Sequence, residues 1–224
     1  MTDEIGEPLL YCDARFTSPW VLVVWTALKE KGVPFRPVLL DLAAGEHRTP
    51  EYRSRTFTGK VPALRHRDVW ISESLAILEY LEETFAPPAH PRLMPAHAAA
   101  RARDRQIMSW IRSDLFELRR CLPFEGLFLP LGAFHQGPLP GPTPKALEEA
   151  AAVCDAAAGR SSGEGPTLAD FELCFMFRRL VQYGVGLAGR GDLVRWSDGL
   201  WNRPSVQSWV THARPRSTPA AVRG

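Results

Sequence analysis

Up to residue 86 the chain alternates between strand-like and helix-like spacings of apolar residues; beyond residue 95 the pattern is helical throughout. Leu9 to Cys12 is a short apolar run that reads as a strand. Ser18-Pro19 then opens a helix with ordered end signals: Ser as N-cap, Pro at the first helical position and Gly32 just past the end. Lys29 and Lys31 complement its last turn. Phe35 to Leu42 is predicted as a second strand, followed by an irregular or helical piece from Pro50 to Arg55. Val61 to Arg65 and Val69 to Ile71 read as two brief strands joined by a tight turn at His66 to Asp68. From Ser72 to Phe85 a helix carries Ile71, Leu75, Leu78 and Phe85 on one stripe, with Glu79, Glu82 and Glu83 outside.

The proline-rich stretch from Ala86 to Pro95 cannot continue a helix and reads as a linker. Ala96 to Cys121 and Pro144 to Ala158 have helical spacing, separated by a Gly-, Pro- and Phe-rich loop from Pro123 to Pro144. Thr167 to Gln182 is apolar nearly all round, as in a helix at the centre of a bundle, and Thr167-Leu-Ala-Asp170 at its start is a capping box with Asp in the Glu/Gln position. Shorter helices are predicted near Asp192 to Leu200 and Pro204 to His212, and the last eleven residues, from Arg214, read as a loose tail. The expected architecture is α/β followed by all-α. A domain of thioredoxin-like order occupies residues 1–86, a linker 87–95, and a helical bundle domain 96–224.

Composition narrows the function classes. Hydrophobic residues make up 45% of the 224 and charged residues 23%, a globular balance that excludes disordered and fibrous classes. Net charge is +2, from 27 basic and 25 acidic side chains without a clustered basic excess, so no nucleic-acid partner is expected. The longest apolar run, Trp20 to Trp25, is far too short to span a bilayer, and the acidic start carries no secretory pattern; no membrane partner is expected. Cysteines at 12, 121, 154 and 174 form no CxxC pair and no metal spacing. They read as buried thiols of a cytoplasmic protein, with no metal expected.

Five local motifs occur in order: FTSPW (16–20), GEHRTPEY (45–52), GKVPAL (59–64), ISESLAILEYLEE (71–83) and TLAD (167–170). With them the chain resembles the cytosolic glutathione transferases, and within that family the bacterial, theta- and zeta-like enzymes of the serine type. The resemblance implies glutathione as co-substrate, small electrophiles as second substrates and a homodimer. The reaction it implies is conjugation in a detoxifying role, or reduction of peroxides or disulfides, by the glutathione thiolate. A glutathione-dependent isomerase, similar to maleylacetoacetate isomerase, and a non-catalytic binding protein of the same fold are the alternatives.

The residues carry this chemistry on their own terms. A thiol near its ordinary pKa of about 8.5 is only a few per cent thiolate at pH 7. Ser18, at a helix N-terminus, is either a plain N-cap or a hydroxyl that, with the helix dipole, holds sulfur as thiolate. Thr17 competes for that role, whereas Cys12 reads as buried packing. The resemblance implies a cis bond at Val61-Pro62, beside Lys60, that lets an extended peptide pair with the backbone of Val61. It also implies that Glu73 and Ser74 hold the γ-glutamyl end and that His47, with Arg48, reaches the glycyl carboxylate; on their own, Lys60, His47 and Arg48 read as solvated loop residues. Trp110 is the expected lining of the second-substrate pocket. Thr56-Phe57 stands where the family often has Asn-Pro, which leaves the loop before Gly59 open.

Overall fold

Strand β1 (Leu9–Asp13) pairs in parallel with β2 (Arg36–Leu40) and antiparallel with β3 (Ala63–His66). With β4 (Val69–Ser72) on the outer side of β3, the sheet has the order β2-β1-β3-β4. The computed structural model describes residues 6–160 and 165–213; the tail expected from Arg214 lies outside them. A parallel pair needs a crossover, and α1 (Pro19–Glu30) supplies it between β1 and β2. A 3-10 turn (Glu46–Arg48) and α2 (Pro50–Arg55) lead to the β3–β4 hairpin, and α3 (Ser74–Thr84) closes this thioredoxin-like half.

The helical half comprises α4 (Ala98–Ser113), α5 (Phe116–Cys121), α6 (Pro144–Ala158), α7 (Leu168–Tyr183), α8 (Gly191–Trp201) and α9 (Pro204–Ala213). Twelve of the sixteen residues of α7 are buried, as its apolar run predicts. One core cluster is shared between the halves, joining Leu10, Leu22 and Ile77 to Met108, Phe171 and Trp209. A second cluster, around Ile111, Leu118, Val153 and Phe177, belongs to the bundle. The last helix lies against the first: Trp25 meets Trp209 edge-on at 5.6 Å and donates its indole N–H to the Ser208 hydroxyl at 2.8 Å.

Several expectations are corrected by long-range contacts. The single helix expected from Ala96 to Cys121 is two. Leu115 leaves helical geometry (ψ 43°), and the N-terminus of α5 takes its cap from the buried Glu149 carboxylate, which accepts the Leu118 N–H at 2.7 Å. The expected loop from Pro123 to Pro144 contains two 3-10 turns, Phe124–Leu127 and Leu131–Ala133. The inward residues of α3 are Ile77, Leu78 and Leu81; Leu75 and Phe85 are only partly buried. The helix expected from Ser72 begins at Ser74; Ser72 ends β4, and its hydroxyl accepts the Phe57 N–H at 3.0 Å.

Glu82, expected outside, is turned inward to a buried Lys31. The Lys31 ammonium lies 2.6 Å from Glu82 and donates to the Phe85 and Pro91 carbonyls at 3.0 and 2.9 Å. Glu82 also accepts the Leu93 and Met94 N–H groups, both at 3.1 Å. All four cysteines are free and buried.

Two further ion pairs generate predictions. Asp170 accepts the Thr167 N–H at 2.8 Å and the Arg160 Nε–H at 2.5 Å, while Arg160 also holds Asp104 at 2.7 Å. Asp170→Ala therefore strips a largely buried arginine of one carboxylate and α7 of part of its cap. Urea unfolding should show a loss of about 3 kcal/mol. Glu30 ties α1 to α9: its carboxylate receives both arms of Arg203, each at 2.7 Å, and the Ser205 hydroxyl. Burial alone would raise its pKa, but the Arg203 and Ser205 hydrogen bonds outweigh it and hold the carboxyl below the ordinary 4.5. A depressed folded-state pKa contributes stability that is present above the unfolded value and lost as pH falls through the folded one. Glu30→Gln should cost about 1–3 kcal/mol near neutrality, and its gap to the wild type in denaturant midpoint should narrow below pH 4.5.

Candidate functional site

Strand register gathers the candidate residues at one end of the sheet. Tyr11 of β1 faces Ala63 of β3, and Ala63 faces Ser72 of β4, both antiparallel. Asp13 of β1 faces Leu40 of β2 in parallel. The chain leaving β1 toward Ser18, the chain leaving β2 toward His47, the Lys60-Val61-Pro62 lead-in to β3 and the Glu73-Ser74 exit from β4 therefore all emerge at the same edge.

The turn after β1 is clamped by an aspartate with no distinctive spacing along the chain. Asp13, buried at the strand end, accepts the Thr17 N–H at 2.6 Å, the Thr17 hydroxyl at 3.1 Å and the Ser18 N–H at 3.2 Å. The Thr17 proton is thus committed. Ser18 is the N-cap of α1, its Oγ accepting the Val21 N–H at 3.4 Å, which leaves the hydroxyl proton without a protein acceptor among the described residues. Cys12 lies in the core, and burial pushes its thiol pKa well up, with Asp13 adding to the shift.

Val61–Pro62 is cis. The loop before it holds its course without the Asn-Pro pair: Tyr52 of α2 donates its hydroxyl to the Lys60 carbonyl at 2.8 Å, and Phe57 is pinned to Ser72. Nearby, His47 Nδ1 and Thr58 Oγ1 are buried without a hydrogen-bond partner, although His47 Nε2 receives the Arg48 Nε–H at 3.3 Å. Glu73, the N-cap of α3, sits at φ 74°, a left-handed conformation uncommon for a side chain of this size. Such an outlier is a pointer to function.

A cleft of about 340 Å3 is lined by Lys60, Val61, Pro62, Glu73 and Ser74 together with Trp20, Arg112 and Arg119. Ser18 and His47 are not among its lining residues; Ser18 lies two positions before Trp20. Trp20 and Trp110 both pack against the bundle core, and Trp20 also lines this cleft. Arg112, on the last turn of α4, brings a cation from the bundle to the sheet: its Nη2 donates to Ser74 Oγ at 3.1 Å and to Glu172 Oε1 at 2.7 Å, while Nη1 reaches Glu172 Oε2. Its guanidinium also lies 4.8 Å from the Trp20 ring centre. Glu172 is fully buried; desolvation raises its pKa and Arg112 opposes the rise. Sequence periodicity could not pair Arg112 with a glutamate 60 positions on.

Residues 17–84 match the family model described as the glutathione S-transferase N-terminal domain. The chain is 41% identical over 118 residues to glutathione S-transferase 1 of Dianthus caryophyllus, covering 53% of this chain and 51% of the relative. It is 34% identical over 116 residues to the maleylacetoacetate isomerase of Mus musculus, 52% of each. The matches thus span about half the length of these curated relatives. A solved glutathione transferase homolog from Burkholderia, with bound glutathione, aligns over 92% of this chain and 97% of its own at 29% identity, TM-score 0.71. Residues 17–84 thus match the glutathione S-transferase N-terminal domain model, and the chain as a whole is similar in fold to a solved glutathione transferase homolog.

Proposed function

We propose that the protein is a serine-type glutathione transferase that directs the glutathione thiolate at small electrophiles. The observation that carries this reading is the Ser18 hydroxyl. It accepts from Val21 at the positive end of α1, keeps a proton to donate, and shares the sheet edge with Val61-Pro62 and Glu73-Ser74. Commitment of the Thr17 hydroxyl to Asp13 and burial of Cys12 favour Ser18 over both. Lowering the bound thiol pKa by about two units needs roughly 2.7 kcal/mol, within reach of one charge-assisted hydrogen bond and the helix dipole.

In this reading the Val61 backbone pairs with the cysteinyl residue. The first N–H groups of α3 with Ser74 seat the γ-glutamyl carboxylate, and Glu73 takes the ammonium. Lys60 and His47 face the glycyl carboxylate, and the unpartnered His47 Nδ1 and Thr58 Oγ1 supply donors there. The thiol gives up its proton, sulfur forms the new bond to carbon, and the leaving group departs with the bonding pair. Peroxide or disulfide reduction would use the same thiolate. The four free cysteines fit a reducing cytoplasm.

The likeness to proteins named maleylacetoacetate isomerase supports a second reading, in which the thiolate adds and is then released. Net consumption of glutathione separates the two: transfer depletes it, isomerisation returns it.

Ser18→Ala should raise the pH midpoint of glutathione-dependent activity by a unit or more, about 1.4 kcal/mol per unit. Glutathione should still bind by calorimetry. If Ser18 only caps α1, the loss appears instead in stability, at roughly 1 kcal/mol, with the pH profile unmoved.

We also propose a homodimer, with the sheet half of one subunit against the bundle of the other. Phe57, 97% exposed on the loop between α2 and β3, supports a partner surface there. Light scattering should give about twice the chain mass at micromolar concentration, and Phe57→Ser should shift the population toward monomer. A monomeric wild type would refute the assignment.

A further inference from the structure

We infer that the bundle side of the cleft is a docking site for a carboxylate carried by the second substrate, with Arg119 as its receiver and Trp20 as the ring surface beside it. The inference rests on the glutathione transferase reading and extends it to the substrate's charge. Three cations and one carboxylate line the cleft: Lys60, Arg112 and Arg119 against Glu73. Arg112 is neutralised by Glu172 and engaged with Ser74, so its charge is spent on the fold and on the seat beside it. Arg119 is different.

Arg119 on α5 uses one nitrogen, Nη1, to cap the end of α4 through the Ile111 and Arg112 carbonyls at 2.6 and 3.0 Å. No carboxylate lies within salt-bridge distance of it among the described residues, and its Nε–H and Nη2–H donors have no protein acceptor there. Glu149 is the carboxylate whose field reaches it, and that group is engaged with the Leu118 N–H. Burial and the neighbouring Arg112 lower the pKa of Arg119, opposed by Glu149, but a guanidinium stays charged at neutral pH. Its centre is 5.9 Å from the Trp20 ring, so an aromatic or unsaturated substrate body can lie on the indole while its anionic end meets the free fork. Among the described residues Arg119 makes no hydrogen bond or ion pair with Glu73, Ser74 or Val61, which distinguishes it from the proposed peptide seat.

The test compares 4-chloro-3-nitrobenzoate with 4-chloro-3-nitrobenzamide at saturating glutathione. In both, sulfur bonds to the chlorinated carbon, chloride leaves with the bonding pair, and the thiol proton passes to buffer. The ratio of kcat/KM for acid over amide, measured in wild type and variant, cancels the difference in intrinsic reactivity. Arg119→Met should lower that ratio about ten- to hundredfold, with the glutathione KM moving far less, and Arg119→Lys should recover part of it. In the wild type, added salt should erode kcat/KM for the acid and spare the amide, a measurement that does not depend on how well the variant folds. A ratio unchanged in Arg119→Met, or a flat salt profile for the acid, overturns the docking site. A glutathione KM that rises in step overturns it too, by moving Arg119 onto glutathione. A wild type that turns over neither compound overturns the transferase reading, and the docking site with it.

Discussion

Lys31 ends the first helix with its ammonium out of water, and the arrangement of the two halves follows from how that charge is satisfied. Glu82 meets it at 2.6 Å, and the same carboxylate takes the Leu93 and Met94 N–H groups of the linker. Leu93 in turn gives its carbonyl to the Leu168 N–H at the start of α7. One buried pair thus connects the first helix, the third, the linker and the central helix of the bundle. Removing either partner leaves a charge stranded, at a cost of about 3–5 kcal/mol, comparable with the whole stability margin of a small protein. The linker held by this pair leads into α4, which carries Arg112 to Ser74.

What the sequence discloses follows the range of the interactions. The helix from Pro19 is legible because Ser18, Pro19 and Gly32 signal its ends from within it, and Pro50 to Arg55 is legible for the same reason. The sheet order is legible because a crossover and a hairpin leave few other ways to pair four strands. The break between α4 and α5 is not, since its cap comes from Glu149, 31 residues away. Nor is the charge hidden in α7, where an apolar pattern conceals a Glu172 whose partner is on another helix.

The candidate site divides along the same line. Ser18, Val61-Pro62 and Glu73-Ser74 sit in local motifs and share a sheet edge by register. Asp13 is not legible, because an aspartate at a strand end has no distinctive spacing; it is identified by three donors converging on one buried carboxylate. Nor are Trp20 and Arg119 legible, because a cleft wall is a property of packing. For Trp110, helical spacing identifies an apolar face but not which core that face meets.

The buried cysteines have a consequence for the protein's chemical surroundings. Thiol–disulfide exchange needs an accessible sulfur in its thiolate form. Cys12, Cys154 and Cys174 are shielded and have their pKa values raised by burial, and Cys121 is shielded as well. Toward a small-molecule disulfide in the surrounding solvent, the four cysteines therefore offer no accessible thiolate for capping.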